Sequence, residues 1–258
     1  MEGFNIKDKV ALITGASSGI GKATAFCFGR EQARLILVSR NEKSLKEIAR
    51  SIREMGATVD IFPADVTNEQ QATKCVEQTL DTYGGIDIMV NSAGIISNGT
   101  IENTTLADWD YMMNINLRSI FLLTQLALPS LIERKGNIVN VSSVTGLRAF
   151  PGILSYCVSK AGLDQFTRCI ALELAPKGVR VNAVNPGVTV SNLHRKGGMD
   201  EKAYQAFLEH SKTTHPLGRV GKPEEVAELI LFLASPHAGW ITGVTYSIDG
   251  GRGQTCAR

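Results

Sequence analysis

The chain has 258 residues, 43% hydrophobic and 20% charged, with 27 Lys plus Arg against 25 Asp plus Glu for a net charge of +2. That is apolar material for one large core or two small ones, and too balanced a charge to offer a field to nucleic acid or to an anionic membrane. Five cysteines, at 27, 75, 157, 169 and 256, form no Cys-x-x-Cys pair and leave one odd, the pattern of reduced thiols rather than of a disulfide framework or a zinc site.

Residues 1–9 lack the apolar core of a signal peptide and carry acids that a mitochondrial leader avoids, so the expected location is the cytoplasm. The first predicted strand, 9–14, holds Val10-Ala11-Leu12-Ile13 and breaks into Thr14-Gly15-Ala16-Ser17-Ser18-Gly19-Ile20-Gly21 before a helix. Closely spaced glycines between strand and helix let backbone N–H groups approach a phosphate, with the helix N-terminus aimed at it. The spacing is Gly-x-x-x-Gly-x-Gly, not the general dinucleotide fingerprint Gly-x-Gly-x-x-Gly.

The second strand, 33–39, ends in Ser39-Arg40, about twenty residues beyond the glycines, where a carboxylate would take a ribose 2′-OH. Ser39 supplies none, and the fork of Arg40 suits a 2′-phosphate; its alternative is a solvated strand end. A helix is predicted over 41–55, with Lys43 and Lys46 adding diffuse attraction. The third strand, 58–63, runs into Ala64-Asp65-Val66, where Asp65 either accepts from an adenine amino group or closes a turn with Thr67-Asn68. A helix over 68–82 and a fourth strand, 86–91, follow, the strand ending in Asn91-Ser92-Ala93-Gly94, small enough for a cofactor to lie against the backbone.

A long helix is predicted over 106–133, although no uninterrupted apolar run reaches the roughly 18 residues of a membrane span. The strand 137–142 then ends at Ser143, and a helix over 155–175 carries Tyr156-x-x-x-Lys160. That spacing puts an ammonium beside a phenol and favours the phenolate, unless the two are only a surface pair. Ser143 could hydrogen-bond the reacting oxygen and the phenol together. After the strand 179–185 comes an irregular stretch, 187–220, with an amphipathic helix candidate at 200–212, placed where such sheets carry a substrate lid. Leu147, Phe150 and Ile153, with Leu193, Met199 and Phe207, are candidates for an apolar substrate wall. His194-Arg195-Lys196 reads as a solvated face rather than an anion site. A helix over 223–234 and a strand over 244–248 end the series.

Strands alternating with helices imply right-handed crossovers, and so an α/β protein: a doubly wound Rossmann-like parallel sheet of about seven strands with helices on both faces. No linker or repeat divides the chain, so one domain is expected over 1–258, with the lid near 188–220.

In combination, Thr14-Gly15-Ala16-Ser17-Ser18-Gly19-Ile20-Gly21, Asp65, Asn91-Ser92-Ala93-Gly94, Asn116, Ser143, Tyr156, Lys160, Asn185-Pro186-Gly187 and the closing stretch 243–251 resemble the short-chain dehydrogenase/reductase family over nearly the whole chain. The general look is closest to its 3-oxoacyl-acyl-carrier-protein reductase and carbonyl reductase branches. The resemblance implies hydride transfer between NADP(H) and a small carbonyl or alcohol substrate, without a metal. It makes Tyr156 the acid in reduction and the base in oxidation, and Lys160 the group that binds the nicotinamide ribose and lowers the tyrosine's pKa. Ser143 would orient the carbonyl, and Asn116, rather than its neighbour Asn114, would hold a proton-relaying water. Cofactor contacts are implied at Gly15, Ser17, Ser18, Gly19, Ile20, Gly21, Ser39, Arg40, Asp65, Val66, Asn91, Ala93, Gly94, Tyr156, Lys160, Pro186, Gly187 and Thr189.

Two departures are visible. Ser92 stands where many relatives have a second asparagine, and Ser17 and Ser18 stand where some NADP-dependent relatives have a basic residue, which leaves the discrimination to Arg40. A homotetramer or homodimer is implied, built on the long helices and on the last helix and strand, with the tail 251–258 either crossing an interface or fraying. NAD(H) is the second cofactor choice. An NAD-preferring alcohol dehydrogenase and a non-catalytic nucleotide-sensing or scaffold protein of the same fold are the rival readings.

Overall fold

Seven strands alternate with helices along residues 3–255, the part of the chain described by the computed structural model. The order is β1 Val10–Thr14, α1 Gly19–Arg30, β2 Arg34–Ser39, α2 Glu42–Glu54, β3 Val59–Pro63, α3 Glu69–Tyr83, β4 Ile88–Asn91, α4 Leu106–Met113, a π-helical turn at Asn114–Arg118 and α5 Ser119–Glu133. Then come β5 Asn137–Val141, α6 Leu154–Leu174, β6 Arg180–Pro186, α7 Leu193–Lys196, α8 Glu201–Thr214, α9 Pro223–Ala234 and β7 Thr245–Ile248. Residues 1, 2 and 256–258, with Cys256 and the end of the expected tail, lie outside the described residues.

All neighbouring strands run parallel, in the order β3-β2-β1-β4-β5-β6-β7. The order reverses between β1 and β4, and a sheet of this kind opens a crevice at the carboxyl ends of its strands at that reversal. Every residue of β1 is buried, because the strand is covered on both faces. Ala11 and Ile13 face a core with Phe28 of α1, Leu45 and Ile52 of α2, and Ile230 of α9. Leu12, between them, faces Val76 of α3, Leu123 and Leu131 of α5, and Leu174 of α6. Burying a side chain such as Leu12 contributes about 1.5–3 kcal/mol, which fixes the register of a strand whose neighbours alternate faces.

The helix expected over 106–133 is one helical run with a widened turn inside it. The N–H of Ser119 donates to the carbonyl of Asn114, one residue further back than in an α-helix, and the turn holds Asn116 inward and buried. The run has 28 residues, and its most apolar stretch reaches a mean hydropathy of 1.4, so by length and composition it is long and apolar enough to cross a membrane. Half of that stretch is buried inside the fold, where Leu123, Ala127 and Leu131 lie against the sheet. Its apolar content is that of a core wall.

Candidate active site

A cleft of about 1050 Å³ opens where the strand order reverses. On one side lies the loop between β1 and α1. Gly15 has φ +67°, and a Cβ there would stand 2.6 Å from the carbonyl oxygen of Ser92, so the two loops can approach only through a glycine. The N–H groups of Ser92 and Ala93 both donate to Thr14 Oγ1, at 3.1 and 3.2 Å. The Thr14 hydroxyl therefore closes this turn without the amide that a second asparagine would bring.

Ser18, the residue before α1, makes no side-chain capping bond, and the first turn of α1 holds no acid. By contrast α2, α3, α4 and α8 are capped by Asn41, Asn68, Thr105 and Asp200. Uncapped N–H groups at the positive end of a helix, beside a glycine turn and on a cleft, fit a pyrophosphate. Gly15, Ser17, Ser18, Gly19 and Ile20 line the cleft, as do Ser39, Arg40, Asp65, Val66, Ala93 and Gly94.

Gly21 lies outside that lining. A Cβ on it would stand 2.5 Å from the carbonyl oxygen of Gly15, so it lets α1 close on the loop. Arg40 is exposed on the cleft and enters none of the ion pairs among the described residues. Lys46 is instead paired with Glu42 at 2.6 Å. One oxygen of Asp65 accepts from the N–H and hydroxyl of Thr67, at 2.9 and 2.7 Å, which closes the turn read as one alternative. Burial pushes the Asp65 carboxyl up, but the Thr67 bonds and the Arg40 charge bring it below its ordinary range.

The opposite wall is made of side chains. Ser143, just beyond β5, meets the cleft together with Tyr156 and Lys160 of α6. Tyr156 is 6% exposed and Lys160 4%. The Lys160 ammonium lies 5.9 Å from the centroid of the Tyr156 ring and donates to the Val141 carbonyl at 2.8 Å. Burial pushes the Tyr156 phenol up to about 12 while the Ser143 hydroxyl pulls it down. Burial also brings Lys160 down to about 8, against the charge of Asp164. The expected lowering of the tyrosine by the lysine is thus not what dominates in the protein alone. Both groups are buried, burial opposes both charged forms, and the ammonium is engaged at Val141.

Asp164 is a residue that sequence reasoning missed. It follows Tyr156 and Lys160 at the same spacing of four, is buried, and accepts from Asn185 Nδ2 at 2.8 Å. Burial raises its carboxyl, while Ser142, Asn185 and the Arg168 and Lys160 charges pull it down. The spacing was the signal: an acid one turn past the lysine on an inward face.

Two expected contacts lie behind the cleft rather than on it. Asn91 is fully buried, and its Nδ2 donates to Asn140 Oδ1 at 2.9 Å, with Asn140 donating on to Thr167 at 2.9 Å. Asn116 is also fully buried, and its amide is committed: Oδ1 accepts from the Ile95 N–H, and Nδ2 donates to the Ile95 carbonyl and the Ser159 hydroxyl, all within 3.0 Å. Its side chain ties the loop after β4 to α6. Asn114, its neighbour, is only partly buried.

Pro186, the last residue of β6, lines the cleft with Gly187 and Thr189 just beyond it. The stretch read as a lid forms α7 and α8, and Leu193, Met199 and Phe207 face the cleft with Phe150 and Ile153, whereas Leu147 does not. Arg195 pairs with Glu201 at 2.7 Å and lies 3.9 Å from the centroid of the Tyr204 ring, which uses up its charge. A second missed residue is His215, 2% exposed: its Nδ1 stands 2.7 Å from the Ser211 carbonyl and its Nε2 accepts from the Val188 N–H at 3.1 Å. It joins the end of α8 to the segment after β6, and no local pattern announces it.

A doubly wound sheet, a glycine turn at its reversal point and a buried Ser-Tyr-Lys wall define a nucleotide-binding oxidoreductase. The comparisons agree with that class and narrow it. The chain belongs to the short-chain dehydrogenase/reductase family: residues 15–252 match the family model described as Enoyl-(Acyl carrier protein) reductase. It is 42% identical to a 3-oxoacyl-[acyl-carrier-protein] reductase of Thermotoga maritima over 96% of this chain and 99% of the relative. Among solved structures it resembles a short-chain dehydrogenase/reductase of unknown function from Caenorhabditis elegans, determined with cofactor, with a TM-score of 0.93 and 35% identity over 98% of this chain and 97% of the other. The ligand-free aldohexose dehydrogenase of Thermoplasma acidophilum gives 0.88 and 34%, over 98% and 97%.

Proposed function

We propose that the protein is an NADP(H)-dependent carbonyl reductase of the cytoplasm, with Tyr156 as its acid in reduction and its base in oxidation. The observation that carries this reading is the convergence of Ser143, Tyr156 and Lys160 on the cleft that the glycine loop and Arg40 also line. The uncapped start of α1 would hold the pyrophosphate, and Arg40 a 2′-phosphate. Ser39, Asp65 and Val66 would flank the adenosine, with Ala93 and Gly94 beside the riboses and Pro186, Gly187 and Thr189 beside the nicotinamide. Asn91, Gly21 and Asn116 act as positioning residues behind those contacts.

Bound NADPH supplies the hydride. The Ser143 hydroxyl holds the substrate carbonyl oxygen, and the Tyr156 phenol gives that oxygen its proton as negative charge develops there. Lys160 stabilises the phenolate left behind, which burial otherwise disfavours. The apolar residues Phe150, Ile153, Met199 and Phe207 keep water from the reacting oxygen. Likeness to the Thermotoga reductase puts 3-oxoacyl compounds first in the panel to be tried. Exposed Phe121 and Leu172 on α5 and α6, and Trp240 and Tyr246 by β7, support a homotetramer or a homodimer.

The test is NADPH and NADH oxidation over a carbonyl panel, with Tyr156→Phe and Arg40→Ala. Turnover that Tyr156→Phe abolishes is expected, as is a loss of about tenfold in NADPH over NADH preference for Arg40→Ala, the scale of one charged hydrogen bond. Cofactor binding without turnover, or an active Tyr156→Phe, sinks the enzyme reading. An unchanged preference in Arg40→Ala sinks the NADP assignment and leaves an NAD-preferring enzyme.

A further inference from the structure

Carbonyl reduction as described leaves Arg252 without a role. Arg252 begins the short turn Arg252–Gln254 after β7 and lines the cleft. Its guanidinium lies 5.1 Å from the centroid of the Phe150 ring, which lines the cleft too, and one of its N–H groups donates to the Thr214 carbonyl at 3.2 Å. An aromatic ring and a carbonyl together hold the planar cation in place. Arg252 enters none of the ion pairs among the described residues. The nearby carboxylate of Asp249 is taken by the N–H groups of Gly251 and Gly253, at 2.9 and 2.6 Å. The turn sits beside the catalytic wall, since a Cβ on Gly253 would stand 3.5 Å from Val144 Cγ2, next to Ser143.

A guanidinium carries five N–H donors in a fixed fork, and a carboxylate matches two of them at once. Held partly out of water, the cation gains more from an anion than it would in bulk solvent. Phe150, Ile153, Met199 and Phe207 line the same cleft, alongside the polar Ser211 and Thr214. We propose that Arg252 is a specificity-determining residue that receives the carboxylate of an oxo-acid substrate, whose apolar body lies along this wall. The inference rests on the carbonyl-reductase reading and names the substrate class within it. It separates free oxo acids from their esters and thioesters, which carry no charge at that position. Lys196 also lines the cleft, but as a point charge on a flexible stem.

The experiment uses the full chain with NADPH and a series of oxo acids of graded length, each paired with its methyl ester. The acid is expected to have the lower KM, by about tenfold or more at the preferred length, the scale of a hydrogen bond to a charged group. Arg252→Gln should remove that advantage, leaving KM for the ester and kcat for both within about twofold; Arg252→Lys should restore part of it, and Lys196→Gln should leave it intact. An acid-to-ester ratio unchanged in Arg252→Gln, or an ester preferred by the natural protein, overturns the proposal. If no carbonyl compound is turned over, the carbonyl reading fails by itself. Arg252 is then read from binding of a saturated carboxylic acid and its ester, followed by NADPH fluorescence. Acid binding lost in Arg252→Gln sustains the site, and equal binding of acid and ester overturns it.

Discussion

On the glycine-loop side of the cleft, the surface is backbone: the Gly15 turn, the open N–H groups at the start of α1, and the Ser92 and Ala93 amides gathered by Thr14. On the α6 side it is side chain, with a phenol and an ammonium buried together and a carboxylate behind them. The first wall recognises by shape and fixed partial charge, so an added methyl disturbs it and pH does not. In the proposed reaction the second would move a proton between groups that burial opposes, so its function would depend on which of them is charged.

If that contrast is right, substitutions on the two walls fail differently. Tyr156→Phe removes the proton donor and little else, and its turnover should fall by about 10²–10⁴-fold, the usual range for a general acid. NADPH affinity, read by fluorescence, should stay within about twofold, because the loop wall is untouched. Gly15→Val should show the reverse. A side chain at φ +67° with a backbone atom 2.6 Å from its Cβ forces the loops apart, so NADPH affinity falls by at least about tenfold and stability by about 1–3 kcal/mol. Full affinity in Gly15→Val, or lost affinity in Tyr156→Phe, breaks the comparison.

A pH profile probes the second wall alone. Lys160 is brought down to about 8, so kcat/KM for reduction should fall about tenfold per unit above that pH as the ammonium is lost. Unfolding does not mimic this limb. Because the folded value lies below the ordinary 10.5, the unfolded chain binds more protons between about 8 and 10.5, and the Lys160 contribution to stability rises with pH across that window. Tyr156 opposes it only above its ordinary value of 10, towards about 12. In Asp164→Asn the limb should move to lower pH, since the carboxylate that holds the ammonium charged is gone. A flat profile, or a limb that Asp164→Asn leaves in place, counts against the assignment.

The sheet and the glycine loop were legible because their signals are local. A doubly covered strand is a continuous apolar run, and a strand-to-helix turn with glycines is written in adjacent residues. Tyr156 and Lys160 were legible for the same reason, lying one turn apart on α6. What sequence could not separate was contact from support. Gly21 serves the Gly15 carbonyl, Asn91 serves Asn140, and Asn116 serves Ile95, each through a partner that the fold alone brings near. The widened turn at Asn114–Arg118 leaves no mark in a hydrophobic pattern that continues on either side of it. Arg252 follows the closing Asp249-Gly250-Gly251, and only the Phe150 ring and Thr214 show its place.

His215 lies outside both walls, joining α8 to the segment after β6, and it sets the smallest and most pointed prediction. To accept from Val188 its Nε2 must be bare, so Nδ1 carries the hydrogen and donates to Ser211. The imidazole thus pulls the end of α8 and the segment after β6 together, and a Cβ on Gly187 would stand 2.8 Å from Nε2, so the approach is close. His215→Asn keeps a donor near Nδ1 and loses the acceptor, whereas His215→Gln keeps an acceptor near Nε2 and loses the donor. If the Val188 bond positions the nicotinamide segment, Asn should raise KM for NADPH by about three- to tenfold with kcat nearly unchanged, the range of one net hydrogen bond, and Gln should stay close to the natural protein. Hydrogen exchange of the peptide containing Val188 should speed up in Asn and not in Gln. Equal behaviour of the two variants would mean that the ring only fills space, leaving Pro186 and Gly187 to be held by β6 alone.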